Sequence, residues 1–333
     1  MTDPLRLIVW PGMPDGEGLV RAGDRIGREL DVSVVSSNED LEHLLESDGP
    51  FDLICPSDYL VEKLAAEGRL ADISDGFEFN REVLVEWSRN PSYDPDERFS
   101  VPLAYGTTGF LYDAELAPEH ESWADFFEPA GIDVGVLGEV REVVGAALIL
   151  AGHSPNATDE ASLADASVIL ERQRPFVKSL TSDDFTGPVE SRLVAIHQAW
   201  SGPAAMAMRN ATGLGYTVPR EGALLWVTTA AVTADAPDPD AARLLLKELM
   251  DPEIAALAVS NGGYSTPNCD ARDLLPEDLR NDEVLFPKPE TIGRCLTLTS
   301  LTPAEEKALQ LVWEPFRDAQ ANGDPERAVD SRT

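Results

Sequence analysis

Leu5-Arg6-Leu7-Ile8-Val9-Trp10 opens a pattern that Asp31-Val32-Ser33-Val34-Val35 and Phe51-Asp52-Leu53-Ile54-Cys55 repeat. Each run is short, apolar or β-branched, and bounded by turn-forming or polar residues, which is how strands read. Between them the spacing changes. Glu17–Leu30 and Asn38–Glu46 carry apolar residues at helical intervals, with Leu41, Leu44 and Leu45 on one side. Ser37 followed by Asp40 supplies a capping-box-like start for the second of these helices. Strand and helix in strict alternation predict a parallel sheet covered by helices.

Working outward, the alternation resumes after Tyr105-Gly106-Thr107-Thr108-Gly109. Ser122 and Asp125 open a helix containing Trp123, Phe126 and Phe127. Asp133–Leu137 reads as a strand and Arg141–Ala151 as a buried helix; Ala161–Arg172 and Val189–Trp200 are predicted as further helices, and Leu224–Thr233 as a long strand. Asp238-Pro239 and Asp251-Pro252 each place an N-cap Asp before Pro at the first helical position. Thr302-Pro303-Ala304-Glu305 does the same with a capping box and opens a last helix over about 302–316. A polar tail, expected to fray, follows Asn322. Two α/β lobes without a long linker predict a cleft between them, the usual place for a small ligand.

Composition narrows the function classes. A chain of 333 residues suits two cores better than one. Its 26 Lys and Arg stand against 60 Asp and Glu, for a formal net charge of −34. That field repels phosphate backbones, so no nucleic-acid partner is expected. No apolar run approaches the roughly 18–20 residues that cross a bilayer. Cys55, Cys269 and Cys295 are far apart and odd in number, which implies neither a disulfide framework nor a metal knuckle. Residues Met1–Arg6 lack a basic region followed by a long apolar one, so no signal peptide is expected in this sequence.

Catalytic signatures are missing. There is no G-x-S-x-G elbow, H-E-x-x-H, P-loop or G-x-G-x-x-G after the first strand, and His43, His120, His153 and His197 are scattered. An enzyme is not expected, although Cys55, at a strand end, leaves a nucleophile as a rival reading.

The carboxyl ends of the predicted strands are richer. Trp10 ends the first. Pro56-Ser57-Asp58-Tyr59 follows the third, with Ser57 placed to cap the next helix. Glu139 and Glu142 lie three apart at a helix start, where both can share a face and the helix dipole tolerates negative charge. Trp200 ends a predicted helix, Trp226 lies in a predicted strand, and Tyr264 follows Gly262-Gly263. Aromatic faces with carboxylates suit an alkylammonium. The cation gains about 0.5–2 kcal/mol over a ring, and a hydrogen bond to a charged group contributes about 1.5–3 kcal/mol. Each residue alone reads equally well as core or as solvated surface, and spacing does not bring the set together.

Several segments, in order along the chain, carry a resemblance. They are Phe51–Tyr59, Ser100-Val101-Pro102 to Gly106-Thr107-Thr108, Ser122–Pro129, Arg141-Glu142-Val143, Trp200-Ser201-Gly202, Gly263–Asn268 and Pro289-Glu290-Thr291-Ile292. Together they resemble the bacterial spermidine/putrescine-binding proteins of ABC transporters, which have the type II periplasmic-binding-protein fold. The resemblance implies two doubly wound α/β lobes with a hinge and a ligand cleft between them. One lobe would comprise 1–104 plus 228–290, the other 105–227 plus 291–333. It implies a monomeric receptor for an amine, working with ABC permease subunits, with no cofactor and no metal. The location would be periplasmic or extracytoplasmic, a cytoplasmic one staying open for want of a signal peptide.

The ligand positions it implies are Trp10, Ser57, Tyr59, Glu139, Glu142, Trp200, Trp226, Thr228 and Tyr264. Three departures accompany them. Thr228 stands where the family has an amine-gripping Asp. Pro11 and Met13 replace a Thr and an aromatic beside the first Trp, and Leu298 replaces a Gln. One anionic anchor is therefore absent, which weakens a diamine unless Asp58 or another acid substitutes. A receptor or cytosolic sensor for a zwitterion such as 4-aminobutyrate, or an enzyme on the same fold, stands as the alternative.

Overall fold

The computed structural model describes residues 3–74, 77, 79–117 and 120–323. Its strands are β1 (Leu5–Val9), β2 (Leu30–Val34), β3 (Leu53–Ile54), β4 (Val101–Asp113), β5 (Val134–Val136), β6 (Val177–Leu180), β7 (Ile196–Trp200), β8 (Leu214–Thr217) and β9 (Leu224–Val232). The chain divides into two compact units, Met1–Gly106 with Trp226–Phe286 and Thr107–Leu225 with Pro287–Thr333. β4 and β9 each carry the chain from one unit into the other.

In the first unit the strand order is β2-β1-β3-β9, with the first three parallel and β9 antiparallel to β3. Helices Gly16–Ile26 and Asn38–Ser47 cross between the parallel strands, as the alternation predicts. The first stops short of the expected Leu30 because Leu30 already pairs with Leu5 in β2. Side chains of β1 alternate between two cores. Leu5, Leu7 and Val9 pack with Leu245, Leu246 and Leu249 of helix Pro239–Leu249, whereas Ile8 packs with Leu41, Leu60 and Leu64. Apolar residues on both faces explain the continuous hydrophobic run. Asp238 and Asp251 accept the amides of Ala241 and Glu253, capping their helices as the Asp-Pro pairs predict.

In the second unit β4-β7-β5-β6 run in that order. β4 is antiparallel to β7 and β8, while β5 is parallel to β6 and β7. Trp123, Phe126 and Phe127 are fully buried, each contributing about 1.5–3 kcal/mol on removal from water. Their helix starts on the complete Ser122–Asp125 capping box. The last helix, Pro303–Gly323, packs Leu309, Trp313 and Phe316 into the same core and runs past the expected end at Phe316. Its start carries the predicted Thr302–Glu305 exchange of hydrogen bonds. The polar tail from 324 onward lies outside the described residues.

One predicted helix is absent. Val189–Trp200 is not a helix: Gly187–Glu190 makes a single turn and Ile196–Trp200 is β7. Ile196 pairs with Tyr112 of β4 and with Val134 of β5, so both edges of the segment are hydrogen-bonded in the sheet. The segment has no clear alternation to mark a strand, and its partners in the sheet decide the conformation. The neighbouring β5 is built to receive it. A Cβ on Gly135 would lie 2.0 Å from the His197 ring, so glycine is what lets the imidazole lie against that strand.

Candidate functional site

The nominated residues fall into two sets, one in each unit. In the first unit, Trp10 ends β1 and turns back on Met13 through paired backbone hydrogen bonds. Its indole Nε1 donates to the Cys55 carbonyl at 2.6 Å, which ties the ring to the end of β3. Ser57 and Tyr59 follow that strand end, and Ser57 bridges Thr228 of β9 in antiparallel register. Trp226 lies two residues before Thr228, so both point to the same face of β9. The Trp226 and Tyr264 rings meet edge to face, 6.4 Å between centroids. Tyr264 donates its phenol proton to the Pro11 carbonyl at 3.1 Å, and burial pushes that phenol up from its ordinary pKa.

Ser57 does not cap the following helix with its side chain, contrary to expectation. Asn38, fixed at the start of the helix after β2, claims it instead. Asn38 Nδ2 donates to Ser57 Oγ at 3.0 Å and to the Tyr59 phenol oxygen at 2.7 Å, while its Oδ1 accepts from the Ser57 amide. Asp58, adjacent and only 2% exposed, accepts the Tyr59 amide and is engaged within its own helix start.

In the second unit, Glu139 is the N-cap residue of helix Val140–Leu150 and Glu142 sits in the first turn. Trp200 ends β7, not a helix, and is itself the N-cap residue of Ser201–Asn210. Its Nε1 reaches Glu142 Oε1 at 3.5 Å, Gln198 Nε2 donates to the Glu142 carbonyl at 2.9 Å, and Phe185 packs edge-on against the Trp200 ring at 5.6 Å. Thr108 pairs with Trp200 across β4 and β7. Glu142 Oε2 and the Thr108 hydroxyl are both sealed from solvent without a well-formed hydrogen-bond partner among the described residues. Burial pushes the Glu142 carboxyl up to about 7; the nearby Thr108 hydroxyl and Trp200 indole oppose this, and the charge of Glu139 adds to it. A carboxylate held in this way gains most from a cation brought to it.

Exposure separates these aromatics from the core. Trp123 and Trp313 are buried, whereas Trp10, Trp200, Trp226, Tyr59 and Tyr264 are each half-buried. Cys55 is fully buried and its thiol is pushed well up by desolvation, which removes the chemistry a nucleophile needs. No cluster of three metal-ligating side chains occurs among the described residues, and no helix there is long and apolar enough to cross a membrane.

The signature described as bacterial extracellular solute-binding protein matches residues 31–287, about three-quarters of the chain. The chain belongs to this family. Among its relatives is the spermidine/putrescine-binding periplasmic protein 1 of Haemophilus influenzae, 30% identical over 298 residues, covering 87% of this chain and 82% of that one. The spermidine/putrescine-binding periplasmic protein of Salmonella typhimurium is 32% identical over 273 residues, covering 80% of this chain and 78% of that one. The crystal structure of the spermidine/putrescine ABC transporter substrate-binding protein of Streptococcus pneumoniae superposes with a TM-score of 0.85 at 25% identity, covering 96% of this chain and all of that one. By name the first two are binding proteins and the third is the substrate-binding protein of an ABC transporter.

Within this solute-binding protein, sequence reasoning missed Asn38, Thr108, Gln198 and Phe185. Asn38 acts 19 and 21 residues away, so no local pattern marks it. Gln198 and Phe185 become visible only once β7 is recognised as a strand. Leu298 packs against the core of the second unit.

Proposed function

We propose that this solute-binding protein captures a cationic amine of the putrescine/spermidine class. Glu142 carries the reading: its second oxygen is desolvated and lacks a well-formed hydrogen-bond partner among the described residues, and its first lies beside the Trp200 indole. An ammonium supplies the missing donor there, and an aromatic face beside the carboxylate favours the alkyl cation over a hydrated metal ion. Glu139 adds charge at the same helix start, and Trp10, Ser57, Tyr59, Trp226, Thr228 and Tyr264 supply the second set. The names of the relatives support the same solute class.

On this reading the protein works outside the cytoplasmic membrane, as a monomer, and hands its cargo to an ABC permease. Loading has to change its shape, because a permease can respond only to a difference between loaded and empty states. Calorimetry of the full chain with putrescine, spermidine, spermine and 4-aminobutyrate tests the proposal. Saturable heat with at least one amine at or below millimolar concentration is expected; silence with all of them overturns it. Cell fractionation tests the location.

A further inference from the structure

In the second unit, unanswered acceptors gather around one carboxylate. Glu142 Oε2, the Thr108 hydroxyl and the Gln198 side-chain oxygen Oε1 are each sealed from solvent without a well-formed hydrogen-bond partner among the described residues. Thr108 and Gln198 are fully buried. Buried polar groups are nearly always paired, so three of them in one neighbourhood call for an explanation. All three belong to the second unit alone.

Strand register places them together. Thr108 of β4 stands opposite Trp200 of β7, and Phe110 opposite Gln198. Residues directly opposite, or two apart on one strand, share a face, so Thr108, Gln198 and Trp200 lie on one side of the sheet. Thr108 and Gln198 are diagonal neighbours there, about 7–8 Å apart at the backbone and within side-chain reach. Glu142 covers this face: Trp200 Nε1 reaches its Oε1 at 3.5 Å, and Gln198 Nε2 donates to its carbonyl at 2.9 Å. The second of these bonds orients the Gln198 amide, with its nitrogen toward the Glu142 backbone and its oxygen turned away. The Thr108 hydroxyl lies close enough to Glu142 to favour the ionised carboxylate. Its hydrogen is therefore directed to the carboxylate, and its lone pairs stay available.

A carboxylate oxygen, a hydroxyl oxygen and an amide oxygen thus remain as acceptors. A primary ammonium carries three N–H donors and no acceptor. Lying about 2.9 Å from each oxygen, its nitrogen can bridge acceptors that are about 5 Å apart. We propose that Thr108 and Gln198 join Glu142 in taking the three hydrogens of a primary ammonium, so that the second unit selects unsubstituted amine ends and rejects N-methylated ones. The inference rests on the amine-receptor reading above and names the residues that set its specificity. Each methyl on the nitrogen removes one donor and leaves one buried acceptor unanswered. The Trp200 ring makes no such demand, since an aromatic face holds a quaternary ammonium as readily as a primary one. Methylation therefore separates recognition by acceptors from recognition by ring contact.

Calorimetry of the full chain with putrescine, N,N′-dimethylputrescine and the analogue trimethylated on both nitrogens reads the selection directly. Each ligand is symmetrical, so neither end offers an unsubstituted nitrogen in place of the other. The dimethyl compound is expected to bind at least fivefold more weakly than putrescine, and the fully methylated one at least a hundredfold. Either methylated compound binding as tightly as putrescine overturns the inference and leaves the amine reading standing. No binding by any of the three defeats the amine reading, and this inference with it.

Variants assign the selection to these residues. Thr108→Val keeps the shape and removes the hydroxyl, so the ratio of putrescine to dimethylputrescine affinity is expected to fall at least threefold, and Thr108→Ser is expected to restore it. Gln198→Met is expected to lower the same ratio. A Glu142 merely loosened by that change would weaken both ligands alike and keep the ratio. A ratio unchanged in folded Thr108→Val and Gln198→Met proteins overturns the assignment, and a Thr108→Ser ratio no higher than that of Thr108→Val overturns the part given to the hydroxyl.

Discussion

Trp200 Nε1 lies 3.5 Å from Glu142 Oε1, which joins the end of β7 to the first turn of helix Val140–Leu150. One ring and one carboxylate thus share a desolvated place, and most of the testable behaviour of the protein follows from this pair.

Glu142→Gln removes the negative charge and keeps the shape. Amine affinity is expected to fall at least tenfold, because the ammonium loses its ionic partner in a desolvated position. Titration of both proteins with the tightest amine checks this, and equal affinities would place the cation elsewhere. The empty variant should also be more stable at pH 8, by about 1–3 kcal/mol. A carboxyl raised to about 7 from an unfolded value near 4.5 contributes stability fully below the lower value and loses it as pH rises through the higher one. Denaturant midpoints at pH 8 measure the gain.

The same carboxyl couples amine binding to protons. An ammonium favours the ionised form, so near pH 6.5 binding should release a sizeable fraction of one proton, and at pH 9 none. Below about pH 7 affinity should fall with pH, while the ligand amine itself remains charged. Calorimetry in two buffers of different ionisation enthalpy gives the proton count. Identical heats in both at pH 6.5 would contradict the assignment, and Glu142→Gln should abolish the difference.

Asn38 holds Ser57 and Tyr59 with one amide. Asn38→Ala should weaken amine binding by about fivefold, roughly 1 kcal/mol, with an unchanged circular dichroism spectrum. Tyr59→Phe, which keeps the Asn38–Ser57 contact, should lose less. An Asn38→Ala protein with wild-type affinity would confine Asn38 to stability alone.

His197 has an opposite pH signature. Burial lowers it to about 4, with Nδ1 and Nε2 engaged by the Gln198 carbonyl and Ser179 hydroxyl. The fold therefore prefers neutral imidazole. Its contribution to stability is complete above the unfolded value near 6.5 and is lost as pH falls toward 4, amounting to about 2 kcal/mol between pH 6.5 and 5. His197→Gln should remove that loss, whereas Glu142→Gln should change the slope in the other direction over nearly the same window. Urea midpoints at pH 6.5 and 5 separate the two, and a His197→Gln protein with the wild-type slope would refute the burial account.

Helix starts were legible in advance because their chemistry is local. Ser37 with Asp40, Ser122 with Asp125, Asp238, Asp251 and Thr302 with Glu305 all make their bonds within four residues. Glu139 and Glu142 were legible as a pair for the same reason. β7 was not, since Ile196–Trp200 carries no strand alternation of its own and becomes a strand by pairing with Tyr112 and Val134, far off in the chain. Ser57 had the right identity and position for a cap, yet a side chain 19 residues earlier took its oxygen.

Alternation of apolar runs, caps and acidic composition therefore determined by themselves the α/β class, the crossover helices and the residue types offered to a cation. Only the tertiary structure decided which of those side chains are desolvated, which are clamped and which are left seeking a partner. Periodicity and capping are written within a few neighbouring residues. The protonation of Glu142 and the unanswered oxygen of Gln198 depend on what distant segments bring against them.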